Sequence, residues 1–203
     1  LEKISLADNP YRPQDCPPYA CANWGELRAY EQMPKQGKMP DKEARELRRG
    51  YYAATSYTDA QIGRVIDELD RLGLRDNTVI VLWGDHGWQL GEHGEWCKHT
   101  NFEIATHSPL IISAPNTKKG VKTAALSEFV DIYPTLCDLC ELPLPQGLEG
   151  TSLKPAMLDP SATVKTAAFS QYPRPKNITG YSIRTDRYRY TEWGEPGKEP
   201  AAR

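Results

Sequence analysis

No apolar run in this chain of 203 residues approaches the roughly 20 residues that a membrane-spanning helix needs. Nor does one charge dominate: 25 Lys and Arg stand against 27 Asp and Glu, a formal net charge of -2, and the basic residues are scattered rather than blocked. The electrostatic footprint of a nucleic-acid or anionic-membrane partner is therefore missing. Cysteine is sparse and odd in number, five in all, which excludes a disulfide scaffold, although Cys16 and Cys21 flank a Pro-rich loop and could pair in an oxidising compartment. Internal repeats and low-complexity tracts are lacking as well. The opening residues Leu1-Glu2-Lys3-Ile4 show no charged-then-apolar leader, and since the chain starts on Leu rather than Met this carries no information about secretion. What is present is a globular composition, 39% hydrophobic and 26% charged, of a length that encloses a core in one or two domains.

Residues 1–40 carry Pro10, Pro13, Pro17, Pro18, Pro34 and Pro40 with little periodicity, which predicts an extended segment wrapped on a surface. From Asp41 the pattern changes. Leu47, Tyr51, Ala54, Thr58, Ile62, Val65, Leu69 and Leu72 recur at steps of three and four, predicting a long amphipathic helix with Asp41 as N-cap, Gly73 as stop and Gly50 as a candidate break. Thr78-Val79-Ile80-Val81-Leu82-Trp83 is too short for a helix and rich in β-branched residues, so it reads as a fully buried strand. Together with the helix it makes half of an α/β unit, and Pro109 to Pro115 adds a second apolar strand. Asp131 and Pro134 mark the start of a further helix through Leu136, Leu139 and Leu142, with Asp131 as its capping carboxylate. Alternation at Tyr181–Arg184 and Tyr188–Thr191 around the polar Thr185-Asp186-Arg187 predicts a hairpin.

All four histidines and three of the five tryptophans lie between Trp83 and His107. Asp85 and His86 follow the strand directly, at the carboxyl end where open α/β sheets place ligands. A carboxylate beside an imidazole can hold a metal, and Lys98 is close enough in sequence to join an anion-binding pocket with His93 or His99. Glycines at 84, 87, 91 and 94 are expected to let the backbone approach that ligand closely. Two other readings compete: a set of polar loop residues, and structural zinc on His93, Cys97 and His99, whose spacing is irregular. Cys137 and Cys140, in an apolar helical pattern, are better explained as buried thiols than as metal ligands.

The run Trp83-Gly84-Asp85-His86-Gly87-Trp88-Gln89-Leu90-Gly91-Glu92-His93-Gly94-Glu95-Trp96-Cys97-Lys98 resembles the second metal- and sulfate-binding segment of type I sulfatases, in particular their iduronate-2-sulfatase branch. The resemblance extends through Tyr51-Tyr52-Ala53 and Asp59, Ala105 to Leu110, Val130 to Leu136 and Gly147 to Leu153. Ser170-Gln171-Tyr172-Pro173-Arg174-Pro175 and Gly180-Tyr181-Ser182-Ile183-Arg184-Thr185 continue it and are the parts that favour this branch. Only the first 40 residues match loosely.

That resemblance implies an alkaline-phosphatase-like α/β fold that hydrolyses sulfate esters on a sulfated saccharide, using calcium and a formylglycine made from Cys or Ser. It implies Asp85 and His86 as calcium ligands and Lys98 as the group on a sulfate oxygen, with Trp88, His93 and His99 at the substrate. Calcium polarises sulfate oxygens and an ammonium offsets charge on the departing group, so the residue types suit that chemistry. Arg174 and Arg184 are the candidates for a uronate carboxylate, because guanidinium recognises carboxylates with two parallel bonds. A phosphodiester or phosphonate hydrolase of the same superfamily, or a noncatalytic glycan-binding homologue, is the alternative.

The formylglycine motif, Cys or Ser followed by x-Pro-x-Arg, appears nowhere among the 203 residues. The expectation is that they form the later part of a longer enzyme, residues 1–155 belonging to its catalytic α/β domain and 156–203 beginning a small antiparallel C-terminal subdomain. On that expectation the piece alone is inactive and, with an open sheet edge, aggregates or stays partly unfolded. By the same resemblance the compartment is secreted, periplasmic or lysosomal.

Overall fold

The computed structural model describes residues 2–202. A hydrophobic core lies around the segment that carries the histidines. Leu27, Met39, Ala44, Leu90, Trp96 and Cys97 form a buried cluster, with Leu6, Trp24, Met33, Leu47 and Trp88 packed against it. Each large apolar side chain enclosed there contributes about 1.5–3 kcal/mol. Part of the Pro-rich N-terminal stretch therefore wraps the molecule as expected, but it also forms a short helix, α1 (Gly25–Ala29), that delivers Leu27 to the core.

Helix α2 (Asp41–Arg71) is long and unbroken, and it differs from expectation at its start. Pro40 is the N-cap and Asp41 the first helical residue, where its charge favours the helix dipole. Gly50 does not interrupt it, because an isolated glycine costs a helix only about 1 kcal/mol against alanine. The chain leaves at Leu72, and Gly73 adopts φ +68°, the left-handed turn for which glycine is suited. Within the helix only Ala44 and Arg48 are buried. The apolar stripe farther along is not enclosed: Val65 is 62% and Tyr51 41% exposed, and Ile62 and Leu69 are only half-buried.

Strand β1 (Ile80–Trp83) is shorter than the expected strand and half-buried rather than enclosed, with Trp83 52% exposed. The reason is topological. Strands β2 (Gln89–Leu90) and β3 (Trp96–Cys97) pair with each other, and the one neighbour of β1 among the described residues is β4 (Leu110–Ser113), antiparallel with Trp83 opposite Leu110. Helix α3 (Glu103–Thr106) lies between β3 and β4, and the backbones of Gly84 and Gly87 donate to Pro109 and Ala105 at 3.0 and 2.8 Å.

Helix α4 (Ile132–Leu139) follows a 3-10 turn at Phe129–Asp131. Asp131 is the N-cap residue of α4 as expected, but its side chain makes no capping bond there and instead closes a reciprocal pair with Glu128 in the preceding turn. Its carboxylate is fully buried and accepts from the backbones of Glu128 and Thr151 and from Lys165, so one side chain ties three segments together. Cys137 is buried as expected but Cys140, at the C-cap, is exposed.

Beyond α5 (Lys154–Leu158) comes a three-stranded antiparallel sheet of β5 (Ala168–Arg174), β6 (Ile178–Arg184) and β7 (Arg189–Gly194). The expected hairpin is β6–β7, closed by Thr185 N–H donating to Tyr188 O at 2.8 Å. The partner β5 had no expectation attached to it. Gly180 in β6 is glycine because the Trp193 ring lies against it, where a Cβ would sit 2.4 Å from a ring carbon.

Candidate active site

Where β1 ends, the chain turns through Gly84 to Asp85 and His86. Antiparallel pairing with β4 holds this turn against the end of α3, and Gly87 packs so closely on it that a Cβ would lie 1.8 Å from the Ile104 carbonyl oxygen. The glycines of this segment serve the protein's own backbone: Gly87 allows that contact, while Gly91 and Gly94 take φ +109° and +71°. The expected close approach to a ligand is a close approach to neighbouring chain, because the segment is folded inward.

The Asp85 carboxylate is 84% exposed, and its Oδ2 is 3.3 Å from His86 Nε2. His86 Nδ1 lies 2.9 Å from the Gly87 carbonyl oxygen, which can only accept, so Nδ1 carries the hydrogen. A neutral imidazole then turns the Nε2 lone pair toward the carboxylate, two acceptors facing each other. A proton or a cation resolves that conflict, and a bare Nε2 is the form in which histidine ligates metal. The Asp85 carboxylate is the kind of oxygen donor that calcium takes, whereas the His86 imidazole offers a nitrogen, softer than the ion usually takes. Six to eight oxygen ligands are usual for the ion, and no group of three or more His, Cys, Asp or Glu that could hold a metal occurs among the described residues. The zinc reading of His93, Cys97 and His99 has no such cluster to rest on.

Lys98 lines the same open cavity of about 780 Å³ as Asp85 and His86. The intervening residues fold back through the β2–β3 pair to bring it there. Its ammonium donates to Glu26 at 2.8 Å and sits 4.9 Å above the centre of the Trp88 ring. That hydrogen bond, more than any other influence, pushes the Lys98 pKa up. Trp88 lies beside His86 as well, ring centres 5.9 Å apart. His99 Nε2 is 3.7 Å from the same Glu26 carboxylate and its ring stacks on Tyr172, while burial lowers its pKa.

Trp88 and His99 lie beside Lys98 and Glu26 without lining that cavity themselves, and His93 is not with them. It lines a separate cavity of about 450 Å³ beside Arg12, Arg28 and Glu95, and stacks on Phe102 at 4.5 Å. Burial raises the pKa of Glu95, outweighing the hydrogen bond it accepts from the Ala22 backbone.

The two arginines part company. Arg174 is half-buried, its guanidinium 5.0 and 5.2 Å from the Tyr172 and Trp193 ring centres, and its three donor nitrogens bond the carbonyls of Tyr19, His99 and Ala20. It is committed to backbone and does not line the cavity of Asp85. Arg184 does line it. The acid it meets is Glu103, at 3.3 Å, not Asp186 or Glu192 nearby in sequence, and its Nη1 is buried without a partner. Arg189 makes the stronger pair with Glu103, at 2.7 Å. Burial opposes charge on Glu103, yet the two arginines win and hold its pKa below the ordinary range.

Glu26, Glu103 and Arg189 had no signal in the sequence. Glu26 lies in a segment without periodicity, and Glu103 meets its arginines across more than 80 positions of chain.

The family model described as Sulfatase matches residues 17–142, and that described as N-sulphoglucosamine sulphohydrolase, C-terminal, matches residues 91–198. Iduronate 2-sulfatase of Mus musculus is 34% identical over 259 aligned residues, covering 95% of this chain and 47% of the mouse protein. Arylsulfatase K of Bos taurus is 32% identical over 170, covering 78% of this chain and 31% of its own. The chain thus spans half or less of the length of these relatives. Among solved structures, a protein in complex with its substrate D-glucosamine-2-N,6-O-disulfate superposes with a TM-score of 0.71 at 32% identity, over 77% of this chain and 33% of that one. A phosphonate monoester hydrolase from Silicibacter pomeroyi gives 0.66 at 26%, over 82% and 38%. The architecture is accordingly the alkaline-phosphatase-like α/β fold, and with a family model spanning the β1 turn, Asp85, His86 and Lys98, the chain belongs to the sulfatase family.

Proposed function

We propose that this chain supplies the metal-holding and sulfate-holding wall of a sulfate ester hydrolase acting on a sulfated sugar, of the iduronate-2-sulfatase type. The observation that carries it is the meeting of Asp85, His86 and Lys98 on one cavity, although twelve positions separate His86 from Lys98. Similarity to an iduronate 2-sulfatase along nearly the whole chain supports the sugar class, as does the neighbour solved with a disulfated glucosamine.

In this reading Asp85 and His86 contribute ligands to a calcium ion, which supplies Lewis-acid polarisation of the sulfate oxygens when bound. Lys98 directs an ammonium proton at a sulfate oxygen and Trp88 flanks it. Arg184, which lines the cavity where Arg174 does not, is the better placed of the two arginines to meet a uronate carboxylate. The formylglycine nucleophile has no precursor motif among these residues, so bond cleavage is assigned to none of them. The compartment follows from the same reading, secreted, periplasmic or lysosomal, and Cys16 and Cys21, whose sulfurs are 3.7 Å apart, are positioned to pair where conditions oxidise.

The test is Asp85→Ala in the catalytically competent enzyme that carries this chain. Calcium binding, followed by titration calorimetry, should weaken at least about tenfold and turnover of an aryl sulfate should be lost, while the melting temperature of the calcium-free protein stays unchanged. Unaltered calcium affinity and turnover would remove Asp85 from the site. The similarity to a phosphonate monoester hydrolase supports a second reading. Faster turnover of an aryl phosphonate monoester than of any sulfated sugar would establish it instead.

A further inference from the structure

We propose that Glu26 is a positioning residue for Lys98, holding its ammonium in one place and lowering its free charge, so that the site gains geometry at the expense of raw attraction for anions. This rests on the reading of Lys98 as the group that meets the sulfate oxygen.

A lysine side chain has four rotatable carbons and gives up about 2 kcal/mol of rotamer freedom when held still. Something must supply that, and Glu26 does, at 2.8 Å. The pair is largely sheltered from water, 24% exposed at Lys98 and 29% at Glu26, so it is screened less than an ion pair on the surface. The carboxylate is itself anchored. It sits on α1 beside Leu27, which is 4% exposed in the core, and α1 packs against β3, the strand that leads into Lys98. On the lysine side, Cys97 takes φ +67°, a conformation that only the surrounding packing can hold in a residue with a side chain. His99, next after Lys98 in sequence, is 3.7 Å from the same Glu26 carboxylate, makes no hydrogen bond to it and does not line the cavity.

The charge balance argues for orientation over strength. A site selected only to attract sulfate would leave Lys98 unpaired, yet Glu26 offsets its charge and the Trp88 face accepts it from another side. A third ammonium proton remains for substrate, in a direction set by the other two contacts. Removing the carboxylate should therefore strengthen ground-state binding of an anion and weaken catalysis, a split that loss of structure does not produce.

The experiment is Glu26→Gln, nearly isosteric, in the catalytically competent enzyme, alone and combined with Lys98→Met. Two quantities are read: kcat on an activated aryl sulfate, and the inhibition constant of inorganic sulfate, which does not depend on the fraction of enzyme that is folded. For Glu26→Gln alone, kcat should fall on the order of tenfold while sulfate inhibits several-fold more tightly. In the Lys98→Met background the same substitution should change neither, because Glu26 acts through Lys98. Glu26→Asp, which keeps the charge but draws it back by one methylene, should restore the sulfate inhibition constant more fully than kcat. An unchanged kcat and inhibition constant in Glu26→Gln, or an equal loss with and without Lys98, overturns the proposal. If Lys98→Met alone leaves turnover intact, the assignment of Lys98 falls first and is recognised separately.

Discussion

Over its 31 residues α2 encloses only Ala44 and Arg48, whereas in the segment from Gly87 to Asn101 Gln89, Leu90, Glu95, Trp96, Cys97, Thr100 and Asn101 are all buried. The helix satisfies its backbone internally and can stand with most of its surface bare. The segment has two strands of two residues each, so its buried polar groups rely on side-chain bonds within it and to distant chain, and Gln89 Nε2 and Asn101 Oδ1 stay unpaired. Gln89 accepts from Thr100, Leu90 N–H donates to Glu92, Glu95 accepts from Ala22 N–H, and Asn101 donates to the carbonyl of Gly180. Regular structure and burial are thus separated in this molecule, and the cavity of Asp85 and Lys98 is built on the buried, irregular part. Arg48 joins the two, reaching from the helix to Leu90 O at 3.0 Å and Glu92 at 3.3 Å.

The contrast is broken most directly at Gly87. In Gly87→Ala the new Cβ meets backbone, not a flexible side chain, so the turn carrying Asp85 and His86 has to move. Destabilisation above about 3 kcal/mol is expected in urea unfolding of the enzyme, with loss of calcium binding. A cost under about 1 kcal/mol would show that the segment tolerates displacement and is not the rigid element described here.

Acid titration sharpens the comparison, because the two regions treat a glutamate oppositely. Glu68 on α2 is exposed and its pKa is lowered by the hydrogen bond from Arg71, whereas the pKa of Glu95 is raised by burial. A raised carboxyl pKa in the folded state contributes stability that is present below the unfolded pKa and lost as pH rises through the folded one. Glu95→Gln should thus gain on the parent protein as pH rises from the ordinary carboxylate range through the raised value, and hold that gain at neutral pH. Stability curves that run parallel across this window would contradict burial as the dominant influence on Glu95.

The smallest expected effect lies on the helix. Gly63 has nothing within 4 Å of where a Cβ would stand, so Gly63→Ala should stabilise by about 0.5–1 kcal/mol through helix propensity alone. Thermal unfolding measures it, and a loss of stability would reveal a neighbour packed against this face of α2 in the intact enzyme.

Those differences also explain what was legible beforehand. The span of α2, the stop at Gly73, the β6–β7 hairpin and the place of Asp85 and His86 after a strand are all local patterns, written in periodicity and turn residues. The exposure along the α2 stripe was not legible, since periodicity marks a face that can be covered and does not say by what. The position of Asp131 before Ile132 and Pro134 marks the N-cap of α4, but its carboxylate bonds one turn earlier, and its tie to Lys165 joins residues far apart in sequence. Arg174 and Arg184 looked alike in sequence. Tyr19, Ala20 and His99 claim the first through their carbonyls, while the second reaches the cavity.

By itself the sequence determined the elements and the chemistry available: a carboxylate, an imidazole and an ammonium within one short glycine-rich run, in a pattern that resembles one enzyme family. Residue type and short-range spacing suffice for that, because helix and turn preferences act over a few residues. Only the tertiary structure decided which of these groups face one cavity. It brought Lys98 back beside Asp85, sent His93 to another cavity, and set Glu26 on the lysine from 72 positions away. The physical reason is that pairing and burial are settled by contacts between distant segments, whose energy no local pattern contains.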